Sequence, residues 1–201
     1  MEELSEAFHS EMEDPIITMA TPAVDWTDAW DYNSLAQISD GLFIMGYNYF
    51  YSGSQNAGPV SPLGGYFYDL DYTIDDYIIK TEGQLDKIIL GLPYYGYDWP
   101  VVDSLINSET IGYGTAQVYE NAEPMAQQFG YQWDAASNSA WFSHHPNTWQ
   151  QCWYDDSLSL SNKYQFAIDS ELAGVGIWAL GYDDGYQELW GALHEKFTTT
   201  L

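Results

Sequence analysis

Four short stretches of this chain are apolar at consecutive positions rather than at every second one. They are "PIITMATPAV" (15–24), "GLFIMGYNY" (41–49), the apolar part of "DKIILGLPYYGYDW" (86–99), closed by Pro93, and "GVGIWAL" (174–180). A strand with one wet face alternates; a strand covered on both faces does not. Between and after these runs the pattern turns helical, in "NSLAQIS" (33–39), "YTIDDYIIKT" (72–81), "DDSLSLSNKYQFAIDSEL" (155–172) and "GYQELWGALHEKF" (185–197). Thr73 is the expected N-cap of the second of these. In the third, Leu160, Tyr164, Ala167 and Ile168 share a face; in the last, Leu189, Trp190 and Leu193 point inward. Leu4, Ala7, Phe8 and Met12 recur at helical spacing before Pro15 and predict an opening helix. Buried strands alternating with helices imply an α/β fold with a parallel sheet. A doubly wound sheet and a closed (β/α)8 barrel both satisfy the alternation. A barrel needs eight strands and ~250 residues. With four strands in 201 residues, the chain reads as a small open α/β domain or as half a barrel.

Residues 100–155 break the rhythm. A helical stretch near 115–129 is followed by short aromatic alternations, "YQWD", "SAWF" and "QQCWYD", which predict a small antiparallel insertion.

Composition narrows the partners. The net charge is −26, with only Lys80, Lys87, Lys163 and Lys196 basic and no arginine. Such a surface repels phosphate backbones and anionic lipid, which argues against nucleic-acid and membrane partners. Cys152 is the only cysteine, so neither an intrachain disulfide nor a cysteine zinc site can form. No apolar run approaches the ~20 residues of a membrane span. The acidic N-terminus does not read as a signal peptide. Nine Trp and eighteen Tyr fit either a large aromatic core or a site that stacks sugar rings.

In either architecture the chemistry belongs at the C-terminal ends of the strands. Those positions read Thr21-Pro22, Met45-Gly46-Tyr47-Asn48, Pro93-Tyr94-Tyr95-Gly96 and Trp178-Ala179-Leu180. They carry aromatics and an amide, with no nucleophile–base pair. Gly174, Gly176 and Gly181 run along a strand and open no helix, so they are no dinucleotide fingerprint. Adjacent histidines such as His144 and His145 seldom converge on one ion, and no metal or cofactor is expected. A neutral, ring-shaped ligand suits the set best.

These motifs resemble the family-18 glycoside hydrolases. "FIMGYNYFY" is similar to that family's sixth strand, Met-x-Tyr-Asp or Asn; "LGLPYYGYDW" to its seventh, Gly-x-Pro-x-Tyr-Gly; and "GVGIWALGYDDGYQELW" to its eighth, which carries a floor tryptophan. "PIITMATPAV" resembles the fifth strand, and "WYDDSLSLSNKYQFA" the lead-in helix of the spore-cortex-lysin-like branch. The resemblance covers about residues 3–197. It implies strands five to eight of a (β/α)8 TIM barrel, with a small α+β insertion at about 100–155 between strands seven and eight. The whole of 1–201 would then be part of one catalytic domain.

It further implies substrate-assisted cleavage of β-1,4 bonds beside N-acetylglucosamine, in chitin, chito-oligosaccharides or peptidoglycan. Tyr47 would donate its hydroxyl to the acetamido oxygen. Asn48 would contact the sugar or help position the acid. Trp178 would lie under the reacting ring, Met45 would line the wall, and Tyr95 and Trp99 would shape the cleft as substrate-binding residues. The family's acid lies in an Asp-x-x-Asp-x-Asp-x-Glu run, expected just before the opening helix. "DLDYT" (69–73) imitates it, but threonine stands where the glutamate belongs. The expectation is a half-barrel inactive alone, which associates with itself or with a missing N-terminal half. The intact protein would work outside the cell or in its envelope. A catalytically silent sugar-binding relative is the alternative, and Asp183 or Asp184 as the acid a third.

Overall fold

A computed structural model describes residues 1–198. Ten helical residues, α1 (Glu2–Glu11), precede a parallel sheet of four strands: β1 (Thr18–Pro22), β2 (Gly41–Met45), β3 (Ile88–Pro93) and β9 (Gly174–Trp178), in that spatial order. The helices between them are α2 (Tyr32–Ile38), α3 (Leu70–Lys80) and α5 (Ser157–Asp169), and α6 (Glu188–Thr198) follows β9. Between β3 and β9 the chain builds a second sheet, antiparallel and five-stranded, in the order β5-β4-β8-β7-β6. Its strands are β4 (Tyr95–Pro100), β5 (Thr115–Val118), β6 (Gln132–Asp134), β7 (Ser139–His144) and β8 (Gln150–Tyr154), with α4 (Tyr119–Phe129) after β5.

The parallel register explains which residues are core. Leu42 pairs with Ile88 and Ile44 with Leu90, and all four are fully buried under the helices. Alternate residues face the other side, because side chains switch faces at each step. There Met45 pairs with Gly91, and Gly91 with Gly176. The Phe43 ring lies across both glycines: a Cβ on Gly91 or Gly176 would sit 2.3 or 2.2 Å from it. No other residue fits there.

Several expectations change. β1 is an edge strand in which only Thr21 is buried, so the apolar run 15–24 is not the doubly covered strand its sequence predicts. The N-cap of α3 is Asp69, whose carboxylate accepts from the Tyr72 backbone N–H. Thr73 lies inside that helix, where its hydroxyl donates to the Ala23 carbonyl and meets the Tyr49 hydroxyl at 2.5 Å. Those bonds tie α3 to the loops that follow β1 and β2, and Tyr77 adds a third by donating to the Pro22 carbonyl. The antiparallel insertion begins before residue 100: Tyr95–Pro100 is already its first strand. Trp190 is 39% exposed rather than inward. The apolar stripe of α1, Leu4, Phe8 and Met12, is exposed.

Candidate active site

After Met45 the chain must turn sharply over the end of β3. Gly46 permits it: its N–H donates to the Gly91 carbonyl, and a Cβ would lie 2.7 Å from that oxygen. Two residues later Asn48 takes φ +64°, a left-handed conformation that asparagine tolerates better than most residues. The turn sends Tyr47 and Asn48 into the mouth above the strand ends. There Met45, Tyr47 and Asn48 line one cavity of about 350 Å³, together with Trp26, Tyr51 and Tyr68.

Tyr47 is half-buried, and burial pushes its phenol above the ordinary tyrosine range. It therefore stays protonated and can donate. Its ring meets that of Tyr95 edge to face at 6.1 Å. The Tyr95 hydroxyl donates to Asn48 Oδ1 at 2.7 Å, which leaves the Asn48 amide Nδ2 for the cavity. Tyr95 is itself only 7% exposed, and burial, then Tyr97, Tyr47, Tyr182 and Asp155 around it, raise its phenol strongly. It orients Asn48 and has little surface left for a ligand. Trp99 is a clear correction. It is fully buried in the antiparallel sheet, with its indole N–H donating to the Tyr51 carbonyl, and offers no face to a sugar.

Trp178 ends β9, in register with Pro93 and 52% exposed. Two steps from Gly176, it projects from the same sheet face as Met45 and Phe43. It does not line the cavity that holds Tyr47. The Tyr47–Tyr95–Tyr182 ring contacts connect the ends of β2 and β9 instead, with the Tyr95 and Tyr182 centroids 6.4 Å apart. Trp26 and Tyr68 escape sequence reasoning because each lies in a loop outside every quoted motif, and Tyr51 because it ends the "FIMGYNYFY" stretch beyond the positions the resemblance assigns. Trp26 and Tyr51 follow strand ends by a few residues, but Tyr68 stands just before α3 and far from any strand.

The acidic candidates separate. Asp183 is buried and accepts from the Trp190 indole N–H at 2.5 Å, so it holds α6, while Asp184 is exposed. No carboxylate lines the cavity among the described residues. His144 Nε2 pairs with Asp98 at 2.9 Å, and its ring stacks on Phe129 at 4.8 Å. Burial raises the Asp98 carboxyl, with His144 pulling the other way. His145 packs on Trp149. The two histidines thus belong to the packing of the antiparallel sheet. Among the described residues no group of three His, Cys, Asp or Glu could hold a metal ion.

Known proteins resemble this chain in sequence and in fold. The model of the glycosyl hydrolases family 18 matches residues 1–183. The cortical fragment-lytic enzyme of Bacillus subtilis (strain 168) is 26% identical over 180 residues, which is 90% of this chain and 40% of that enzyme. The Group IV chitinase of Ostrinia furnacalis superposes with a TM-score of 0.87 at 19% identity, covering 98% of this chain and 60% of that one. A family-18 chitinase from Cycas revoluta, solved with (GlcNAc)3, gives 0.86 at 18%, covering 96% and 60%. Likeness at that identity speaks to fold, and the fold is part of an α/β barrel. The chain spans less than two thirds of the length of each of these proteins.

Proposed function

The chain belongs to glycosyl hydrolase family 18, and we propose that β1, β2, β3 and β9 are strands five to eight of an eight-stranded barrel. On this reading residues 1–201 form part of one catalytic domain, interrupted by the antiparallel sheet. The longer protein hydrolyses β-1,4 bonds next to N-acetylglucosamine, with retention, outside the cell or in its envelope.

The chemistry is substrate-assisted. The acetamido carbonyl oxygen of the substrate bonds to the anomeric carbon as the glycosidic C–O bond breaks. The leaving oxygen takes a proton from an acid, and water then opens the cyclic oxazolinium. Tyr47 serves the first step: its protonated phenol donates to the acetamido oxygen and holds it in line. Asn48, with its oxygen occupied by Tyr95, presents N–H donors to the sugar. Trp178 is the stacking floor and Met45 a wall. The observation that carries the reading is the convergence of Tyr47, Asn48 and Met45 on one cavity at the strand ends, on the sheet face that also bears the exposed Trp178.

The cavity supplies a clamp and no carboxylate, so the proton donor comes from another part of the longer protein. β1 and β9 each have one unpaired edge, which that part, or a second copy of the chain, would cover. The 201-residue chain alone is expected to show no chitobioside hydrolysis, and measurable turnover by the pure chain would overturn this assignment. The same absence of a carboxylate favours a second reading, a silent sugar-binding relative. Adding the rest of the polypeptide decides between them: hydrolysis appears in the first case and not in the second.

A further inference from the structure

The loop between β1 and α2, residues 23–31, brings Trp26 to the wall of the cavity that holds Tyr47. It is neither strand nor helix, so side chains must hold it in place. The loop is built around one carboxylate. Asp25 accepts from the backbone N–H groups of Thr27, Ala29 and Trp30 at 3.4, 3.1 and 3.2 Å, and its side chain is only 2% exposed. Burial alone would raise that carboxyl; the three N–H groups and Lys80 outweigh it and hold the group below its ordinary range. Asp28, at the outer turn of the loop, takes φ +50° and is exposed.

Lys80, in the last turn of α3, joins this loop to the body of the fold by charge. Its Nζ lies 3.4 Å from Asp28 and 4.0 Å from Asp25 on the loop, and 3.1 Å from Asp76 one turn back on the helix. It also sits 5.6 Å from the centre of the buried Tyr32 ring, within cation–π range. Three carboxylates thus converge on one ammonium. Without it they would face only each other. Among the described residues the other lysines are committed elsewhere. Lys87 bonds the Ser39 carbonyl at the opposite end of the sheet, Lys163 is buried against Asp155, and Lys196 bonds Gln165. There is no arginine. Thr73 and Tyr77 of α3 fix the start of the loop by donating to the Ala23 and Pro22 carbonyls, and Lys80 takes over beyond Ala23.

We propose that Lys80 is a positioning residue for the site: its ammonium latches the 23–31 loop to α3 and thereby keeps Trp26 on the cavity wall. The inference rests on the function proposed above and assigns that site a residue that touches no substrate. Asp25 shapes the loop from within, and Lys80 sets where the shaped loop sits. A ligand that needs the Trp26 wall then binds fully only in the fraction of molecules whose loop is seated. Salt acts on this latch with a definite sign. In the parent, attraction at 3.1–4.0 Å outweighs repulsion among the carboxylates, so added ions loosen the loop. With the ammonium gone only repulsion remains, and added ions relieve it.

Calorimetric titration with chitotriose at low salt tests it in the parent, Lys80→Gln, Lys80→Arg and Asp28→Asn chains. Lys80→Gln should weaken binding about fivefold, and Lys80→Arg should keep most of the parent affinity. Asp28→Asn removes one charge from an exposed side chain and suits a left-handed position, so the fold is not at stake. It should weaken binding about twofold in the parent yet strengthen it in Lys80→Gln, where it removes a repulsion. Sodium chloride raised to about 0.5 M should likewise weaken the parent and improve Lys80→Gln. Amide exchange gives a readout without sugar. Thr27, Ala29 and Trp30 should exchange about fivefold faster in Lys80→Gln, with Ile74 and Tyr77 of α3 unchanged. Unchanged chitotriose affinity in Lys80→Gln, or Asp28→Asn acting with the same sign in both backgrounds, overturns the latch. Loss of protection throughout α3 also overturns it, because Lys80 would then stabilise the helix and not the loop. A parent that binds no chitotriose overturns the functional reading instead, and the three amides still report whether Lys80 holds the loop.

Discussion

Trp99 and Trp178 both follow proline-rich or glycine-rich strand ends, yet one is sealed and the other half open. The difference is between the two sheets. At its three central strands, β4, β8 and β7, the antiparallel sheet is covered on both sides. Ala140, Phe142, Cys152 and Tyr154 pack in the main core, on which the Ala122 and Ala126 side chains of α4 also pack. Trp99, Trp141 and Trp153 pack with Val60 and Val101 in a second core. Trp141 and Trp153 stack at 5.5 Å. The parallel sheet is covered on one side only. Its other face, with Phe43, Met45 and Trp178, is where a ligand can reach. A doubly covered sheet serves the fold; a singly covered one is free to serve chemistry.

The comparison can be broken most severely with alkali. Burial raises the phenols of Tyr119 and Tyr154, and Glu123 raises them further. The folded state thus holds these protons more tightly than the unfolded chain, whose phenols titrate near 10.0. Their stabilising contribution is complete below that value and is lost as pH rises above it. Unfolding followed by phenolate absorbance should begin above that pH, and hydrogen exchange should show the antiparallel sheet and α4 opening with the first phenolates. Phenols that titrate without any loss of structure would contradict the sealed second sheet.

Trp153→Ala should cost about 3–5 kcal/mol in urea denaturation, because it opens a cavity in a core with no access to water. Gly176→Ala should cost about 1–3 kcal/mol, since the new methyl meets the Phe43 ring. Trp178→Ala should cost under about 1 kcal/mol in stability, because half of that side chain is already wet. If Trp178→Ala destabilised as much as Trp153→Ala, the two sheets would not differ in the way described.

The four parallel strands and most of the helices are legible in sequence, because consecutive apolar runs and helical periods are local signals; the open face of the sheet is not, and β9 holds no buried residue despite its apolar run. The edge position of β1 is not legible either, since "PIITMATPAV" reads the same whether or not a neighbour covers it. Trp99 misled because an aromatic just beyond a strand-end motif carries no mark of which sheet it will enter. Met45, Tyr47 and Asn48 could be placed together because they sit within four residues of one strand end. Trp26, Tyr51 and Tyr68 join them only through tertiary folding. The α3 cap is ambiguous in sequence because Asp69 and Thr73 are both good capping types, and only the helix start distinguishes them.

The central claim is that Tyr47 recognises an acetamido group above the floor of Trp178. Its most direct test is the affinity of the chain for chitotriose against cellotriose, which differ in that group, in the parent and in Tyr47→Phe. The account predicts a preference for chitotriose of about tenfold or more in the parent, largely gone in the variant. Equal binding of the two sugars by the parent, or a preference that survives the loss of the phenol, would contradict it.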